Sequence, residues 1–304
     1  MNFAITGVSG LLGAHLAAVL SAQHRVIGFD RHSWWGTRRI ELHTGDLDDA
    51  DACRRFIDAA EPDVLIHCAA MVNVDACEER PEEAYRINGA IPGLLARSVP
   101  ANCTVVYVTT DGIFRGDDSN RKETDLPCPR TVYGRSKLHG EWETALATPR
   151  HLILRTNFYG WSSGRKSSSG EWLYAALANR QPITLFDDFW FTPIYVVELV
   201  ERILALIASR THGTFHLVGA DRLTKHEFGR LLARAAGFSM DAVRRGSIDS
   251  ATLRAPRPRD MSLDGSQAAR VSGLPSPSCA AGIGRFVADR GRTVEQRVEH
   301  LGLA

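Results

Sequence analysis

Thr6-Gly7-Val8-Ser9-Gly10-Leu11-Leu12-Gly13 decides the fold of this chain. Three glycines spaced three apart stand between an apolar run over residues 3–6 and a helical pattern over 11–21. The first reads as a strand and the second as the helix after it. Glycine permits the tight turn and lets a pyrophosphate approach backbone N–H groups at a helix N-terminus. A strand–helix turn with incidental glycines is the plainer reading. The position at the start of the chain, and an acid at the end of a second strand over 25–30, favour a dinucleotide loop. Gly7, Ser9, Gly10, Leu11, Leu12 and Gly13 are therefore the expected cofactor contacts of the turn.

Working outward, Asp30 ends the second strand, where a carboxylate holds adenosine ribose hydroxyls and disfavours a 2′-phosphate. Arg31 is adjacent and could accept that phosphate, so NAD and NADP both stay open. Asp46, with Leu47, follows where a third strand would end and could meet the adenine amino group; a solvated loop acid is nearly as good a reading. Residues 49–60 have helical spacing and 64–68 form a buried strand, closing on His67-Cys68-Ala69-Ala70. Small residues there let the chain pass close to a cofactor, which makes Cys68, Ala69 and Ala70 candidates. His67 reads as a packed strand histidine. Residues 82–99 are helical with an interruption at Pro92, and strands are expected at 104–109 and 151–155. Alternating strands and helices of this kind predict a doubly wound parallel sheet of Rossmann type.

Tyr133-Gly134-Arg135-Ser136-Lys137 carries the chemistry. Residues four apart share a helix face. A lysine near the phenol would favour phenolate and pull its pKa below the usual ~10, fitting Tyr133 for acid–base work. An exposed helix with an ordinary Tyr–Lys pair is the plain alternative. Thr109-Thr110-Asp111 ends an apolar strand, where a threonine hydroxyl can hydrogen-bond a carbonyl gaining negative charge.

Bulk properties exclude several classes. At 44% hydrophobic and 23% charged, the 304-residue chain is not of the disordered type and can build a real core. A net charge of +1 gives no reason to expect a nucleic-acid or membrane partner. Lysines number four against 32 arginines, so the placement of Lys137 is not casual. Six cysteines show neither a CxxC pair nor zinc spacing, so no metal is expected and reduced thiols of a cytoplasmic protein are. The start, Met1-Asn2-Phe3-Ala4-Ile5, has no basic leader region, so a signal peptide is not expected. The texture changes after Thr156, into a Ser/Gly/Arg/Lys-rich stretch over 161–170. Helices are read at 171–178, 196–208 and 225–236, the last opened by a Thr224-x2-Glu227 cap, with a strand over 213–218. The expected layout is a cofactor-binding domain over 1–157, with 188–220 returning to it, and a smaller substrate-binding domain over 158–304.

Together these motifs resemble the extended short-chain dehydrogenase/reductase superfamily, and within it the dTDP-4-dehydrorhamnose reductase group of nucleotide-sugar 4-ketoreductases. The resemblance runs nearly end to end. It rests on the glycine turn, on Ala69-Ala70-Met71-Val72-Asn73-Val74-Asp75-Ala76-Cys77-Glu78 with Ile87-Asn88, and on Thr109-Thr110-Asp111-Gly112-Ile113-Phe114. Tyr133–Lys137, Leu154-Arg155-Thr156-Asn157-Phe158-Tyr159-Gly160 and Arg257-Pro258-Arg259-Asp260-Met261-Ser262-Leu263 extend it. It implies that Tyr133 is the general acid, that Lys137 binds the nicotinamide ribose and tunes Tyr133, and that Thr110 holds the substrate oxygen. It implies NAD(P)H as cofactor and a nucleotide sugar as substrate, met by Val72, Asp75, Asp111, Asn157, Phe158, Trp161 and Arg257. Arg165 or Lys166 could meet a diphosphate, though such a loop pair is more often solvated. A homodimer is one expectation for the assembly.

Two departures from the group stand out. Gly112 replaces the tyrosine usual after the Thr-Asp pair, which leaves the exact sugar open. Related 4,6-dehydratases carry a glutamate there, so its absence argues against elimination. The Asn157–Trp161 stretch also differs from the commoner Ser-Trp form. A nucleotide-sugar epimerase with tightly held NAD is the alternative enzyme. A non-catalytic regulatory subunit like that of methionine adenosyltransferase is the alternative of another class, and the intact Thr110/Tyr133/Lys137 set argues against it.

Overall fold

β1 (Asn2–Thr6) shows why the sheet is parallel: Phe3 and Ile5 pack into one core cluster, while Ala4 between them packs into another. A strand buried on both faces needs helices on both sides, and βαβ crossovers supply them. The computed structural model describes residues 1–38, 40–163, 166–250 and 254–301. After β1 come α1 (Leu11–Leu20), β2 (Arg25–Asp30), β3 (Glu41–Thr44), α2 (Ala50–Ala60) and β4 (Val64–His67). Next are α3 (Val74–Glu79), α4 (Pro81–Tyr85), α5 (Ile91–Ser98), β5 (Thr104–Thr110), α6 (Val132–Ala147) and β6 (His151–Thr156). The second half holds β7 (Phe158–Tyr159), α7 (Ser169–Ala178), β8 (Ile183–Phe186), β9 (Trp190–Phe191), β10 (Ile194–Tyr195) and α8 (Val196–Ala208). It closes with β11 (Gly213–His216), β12 (Leu223–Thr224), α9 (Lys225–Ala236), β13 (Val243–Gly246), α10 (Ser266–Ser272), α11 (Cys279–Ala288) and α12 (Val294–Val298).

Among the described residues the central sheet has seven parallel strands in the order β11-β6-β5-β4-β1-β2-β3. The chain reverses direction across the sheet between β1 and β4, and ligands of open α/β sheets bind outside the carboxyl ends of strands at such a switch point. One face is covered by α1 and α8, the other by α2 and α5. β11 arrives late in the sequence yet pairs with β6, because its Phe215 completes the core under α8.

Pro92 acts upstream of its own position. Lacking an N–H, it leaves the Asn88 carbonyl without the i+4 donor of a regular helix. A π-turn forms over Arg86–Ala90, and the buried Tyr107 hydroxyl donates to that carbonyl at 2.7 Å. The interruption expected at Pro92 is thus a π-turn that brings α5 and α6 against the same strand.

Short sheets organise the second half: β8 pairs with β13, β9 with β12 and β7 with β10. The Thr224 cap is a reciprocal capping box with Glu227, and it starts α9 where the sequence predicts. α12 closes the chain back on the first half. Its Glu295 carboxylate accepts the backbone N–H groups of Thr37 and Arg38 at 2.5 and 3.2 Å, bracing the loop after β2. No helix among the described residues is long and apolar enough to cross a membrane.

Candidate active site

The glycine turn fits a dinucleotide. Gly7 has φ +68°, and a Cβ there would lie 2.7 Å from the Ala69 backbone nitrogen, so only glycine lets the loops after β1 and β4 touch. A Cβ on Gly13 would strike the Gly7 carbonyl, which keeps α1 close to the turn. Gly10 caps α1 without a side chain, so the first N–H groups, with Leu11 and Leu12, remain for an anion. Asp30 stands at the end of β2, where its two carboxylate oxygens accept from the N–H groups of Ser9 (2.9 Å) and His32 (3.0 Å). Arg31 is exposed and lies 3.8 Å from Asp46, an ion pair across the outer side of the same edge. Leu47 is a partly buried neighbour of the α2 core. Cys68, Ala69 and Ala70 leave the end of β4 beside the turn. Burial pushes the Cys68 thiol up to about 12, which keeps it protonated.

Thr110, the last residue of β5, accepts the Gly112 N–H at 3.0 Å and donates to Asp111 at 3.0 Å. Tyr133 opens α6, whose N-terminus is fixed by the Thr131 hydroxyl accepting from the Gly134 N–H. Burial raises the Tyr133 phenol well above its ordinary value; the Thr110 hydroxyl partly counters this, while Asp111 and Cys77 add to it. This corrects the sequence expectation of a phenol lowered by Lys137. Lys137 is 2% exposed and points into the fold instead. Its ammonium donates to the Val108 carbonyl at 2.8 Å and sits 4.2 Å from the centroid of the Tyr107 ring. Burial lowers Lys137 to about 7, with Glu141 and Cys68 opposing. Sequence spacing gives a shared helix face; it does not say which way a four-carbon stem will turn.

His67 is packed, as its strand position suggests. It is hydrogen-bonded to Thr6 at 2.6 Å, stacked beside Tyr107, and lowered to about 3 by burial.

Asp111 is 2% exposed, and burial raises it to about 6 despite hydrogen bonds from Asn157 (2.7 Å) and Thr110. An acid raised in the folded state costs stability above that value, and the cost vanishes as pH falls through the unfolded value of ~3.9. Asp111→Asn keeps the shape and removes the charge. It is expected to raise the unfolding free energy at pH 8 by on the order of 1–3 kcal/mol. The gain should disappear by about pH 4. Urea melts at the two pH values check this; a gain of equal size at both would refute it.

Beyond Asp111 lies a cavity of about 310 Å³. Its walls include Trp172 and Leu173 of α7, Leu185 and Phe186 of β8, Phe189, Phe191 and Phe228. Asn157, Lys225 and Arg257 are its principal polar members. Arg257 also reaches Asp75 at 3.1 Å, which joins the segment after β13 to α3.

A family model described as the RmlD substrate binding domain matches residues 1–291. The chain belongs to this family. It is 32% identical to a probable low-salt glycan biosynthesis reductase, Agl14, of Haloferax volcanii, over 90% of this chain and 93% of that protein. It is 29% identical to a dTDP-4-dehydrorhamnose reductase of Mycolicibacterium smegmatis, over 89% and 80%. In structure it resembles the dTDP-4-dehydrorhamnose reductase of Bacillus anthracis, solved in complex with NADP. The TM-score is 0.85 at 25% identity, covering 94% of this chain and 98% of that one.

Within this RmlD-family chain the expected substrate residues divide. Asn157 and Arg257 line the cavity, and Asp111 stands behind Asn157. Trp161 is engaged in packing: its ring stacks on Phe286 at 4.4 Å and its indole donates to the Phe286 carbonyl. Phe158 packs at the edge of the core, Val72 is 49% exposed, and Asp75 faces Arg257 and the Ala255 N–H. Lys166 is exposed, and Arg165 lies outside the described residues. A side chain at Gly112 would meet Thr110 and Met261 at ordinary contact distance, so glycine leaves room there. Sequence reading missed Lys225 and the aromatic wall, whose only sequence signal was a lysine directly after the Thr224 cap.

Proposed function

We propose that the chain is an NAD(P)H-dependent reductase of a 4-keto nucleotide sugar, working in the cytoplasm in deoxysugar or surface-polysaccharide synthesis. One observation carries the reading: Thr110 and Tyr133 meet at the carboxyl edge of the sheet, with Lys137 one turn further along the same helix, between the glycine turn and a cavity with two cations. The bound nicotinamide supplies a hydride. Gly7, Gly10 and Gly13 would let its dinucleotide approach the α1 N-terminus, Asp30 would meet the adenosine ribose, and Lys137 would hold the nicotinamide ribose. Thr110 steadies the ketone oxygen as it gains charge. Tyr133 keeps its proton at neutral pH and delivers it to that oxygen. Gly112 in place of an acid supports reduction over elimination.

Purified protein should oxidise NADH or NADPH, read at 340 nm, when given a 4-keto-6-deoxy nucleotide sugar. No oxidation across thymidine- and uridine-linked 4-keto sugars with either cofactor would sink the proposal. Interconversion of epimers with no net use of added cofactor would point to the epimerase instead.

A further inference from the structure

Among the described residues that line the cavity, the charged ones are Lys225 and Arg257, and none is a carboxylate. Arg257 is partnered by Asp75. The Lys225 ammonium is met by ring faces, 3.4 Å from the centroid of Phe191 and 5.1 Å from that of Phe189. Aromatic faces hold a cation but use none of its three N–H donors. Nor does the fold need the ammonium for α9, which Thr224 and Glu227 already cap through hydroxyl, carboxylate and backbone. Asp111 attracts Lys225 electrostatically, although no ion pair within 4 Å joins them among the described residues. Asn157, hydrogen-bonded to Asp111, lines the same cavity. A cation kept in an apolar recess, with no hydrogen bond from its ammonium among the described residues, is arranged to take an oxyanion.

We propose that Lys225 is a specificity-determining residue whose ammonium binds a diphosphate oxygen of the substrate, with Arg257 as the second cation. The inference rests on the cavity being that of a nucleotide sugar. An oxyanion could also come from a carboxylate on the sugar, and the experiment separates the two sources.

Calorimetric titration of the full chain with UDP, dTDP, uridine, thymidine, UDP-glucose and UDP-glucuronate tests it, using Lys225→Met and Lys225→Arg. Lys225→Met should weaken both diphosphates by about 10- to 100-fold and leave the nucleosides and NADPH as tight as before. Lys225→Arg should restore most of the loss. UDP-glucose and UDP-glucuronate should weaken equally. The proposal fails if Lys225→Met binds diphosphates like the wild type or weakens nucleosides as much. It fails too if only UDP-glucuronate is affected, or if the wild type binds no nucleoside diphosphate. Failure of the reductase reading would appear separately, as absence of NAD(P)H oxidation in a protein that still binds UDP or dTDP through Lys225.

Discussion

Tyr133→Phe is expected to lower kcat by about 10²- to 10⁴-fold, the usual contribution of a positioned general acid. The loss should fall on kcat more than on KM, because the proton is needed only as the ketone oxygen gains charge. The phenol is the group best placed to supply that proton. It stands beside Thr110, its hydroxyl is enclosed by protein, and its raised pKa keeps it protonated at neutral pH. The nearby Asp111 is otherwise engaged: burial raises it to about 6, and it is hydrogen-bonded to Asn157 and Thr110. The substitution removes one oxygen from a partly exposed ring, so the fold should be undisturbed. Steady-state kinetics with a 4-keto nucleotide sugar, alongside cofactor binding by fluorescence, separates the two effects. A kcat within about tenfold of wild type would exclude Tyr133 as the acid.

Lys137→Met should abolish most activity and make the protein more stable at neutral pH. Burial lowers Lys137 from about 10.5 to about 7, so the folded state resists the charge that the unfolded chain carries. For a cation lowered in this way, the cost is complete below the folded value. It is relieved as pH rises from about 7 to about 10.5, because the folded lysine has by then lost its proton. The shift sets an upper bound of about 5 kcal/mol at pH 6. The lost hydrogen bond to Val108 and the contact with Tyr107 give back part of it. A net gain of roughly 2 kcal/mol at pH 6, vanishing near pH 10.5, is the expected result in denaturant melts. A Lys137→Met protein less stable than wild type at pH 6 would contradict the burial argument. An ammonium kept in the core at such cost is consistent with a role in binding rather than in folding.

The glycine turn and the strand ends of the carboxyl edge were legible in the sequence because their signals are local. Gly7, Gly10 and Gly13 are read from spacing, Asp30 from the end of an apolar run, and Thr110 from the end of another. All lie within a few residues of the element that positions them. The α9 cap was equally legible, since Thr224 and Glu227 satisfy neighbouring backbone groups. The packing of Trp161 was not legible for the opposite reason: its partner, Phe286, lies 125 residues away. Glu295 bracing the loop at Thr37 and Arg38, and Lys225 meeting Phe191, are likewise products of chain return.

Sequence alone determined the doubly wound sheet, its glycine turn and the identity of the Tyr133–Lys137 pair, because periodicity and spacing are properties of short segments. Tertiary structure decided what those groups experience. Burial raised Tyr133, turned Lys137 toward Val108 and lowered it, and gathered Asn157, Lys225 and Arg257 around one cavity. Desolvation depends on everything packed around a group, and most of what surrounds these side chains comes from distant parts of the chain.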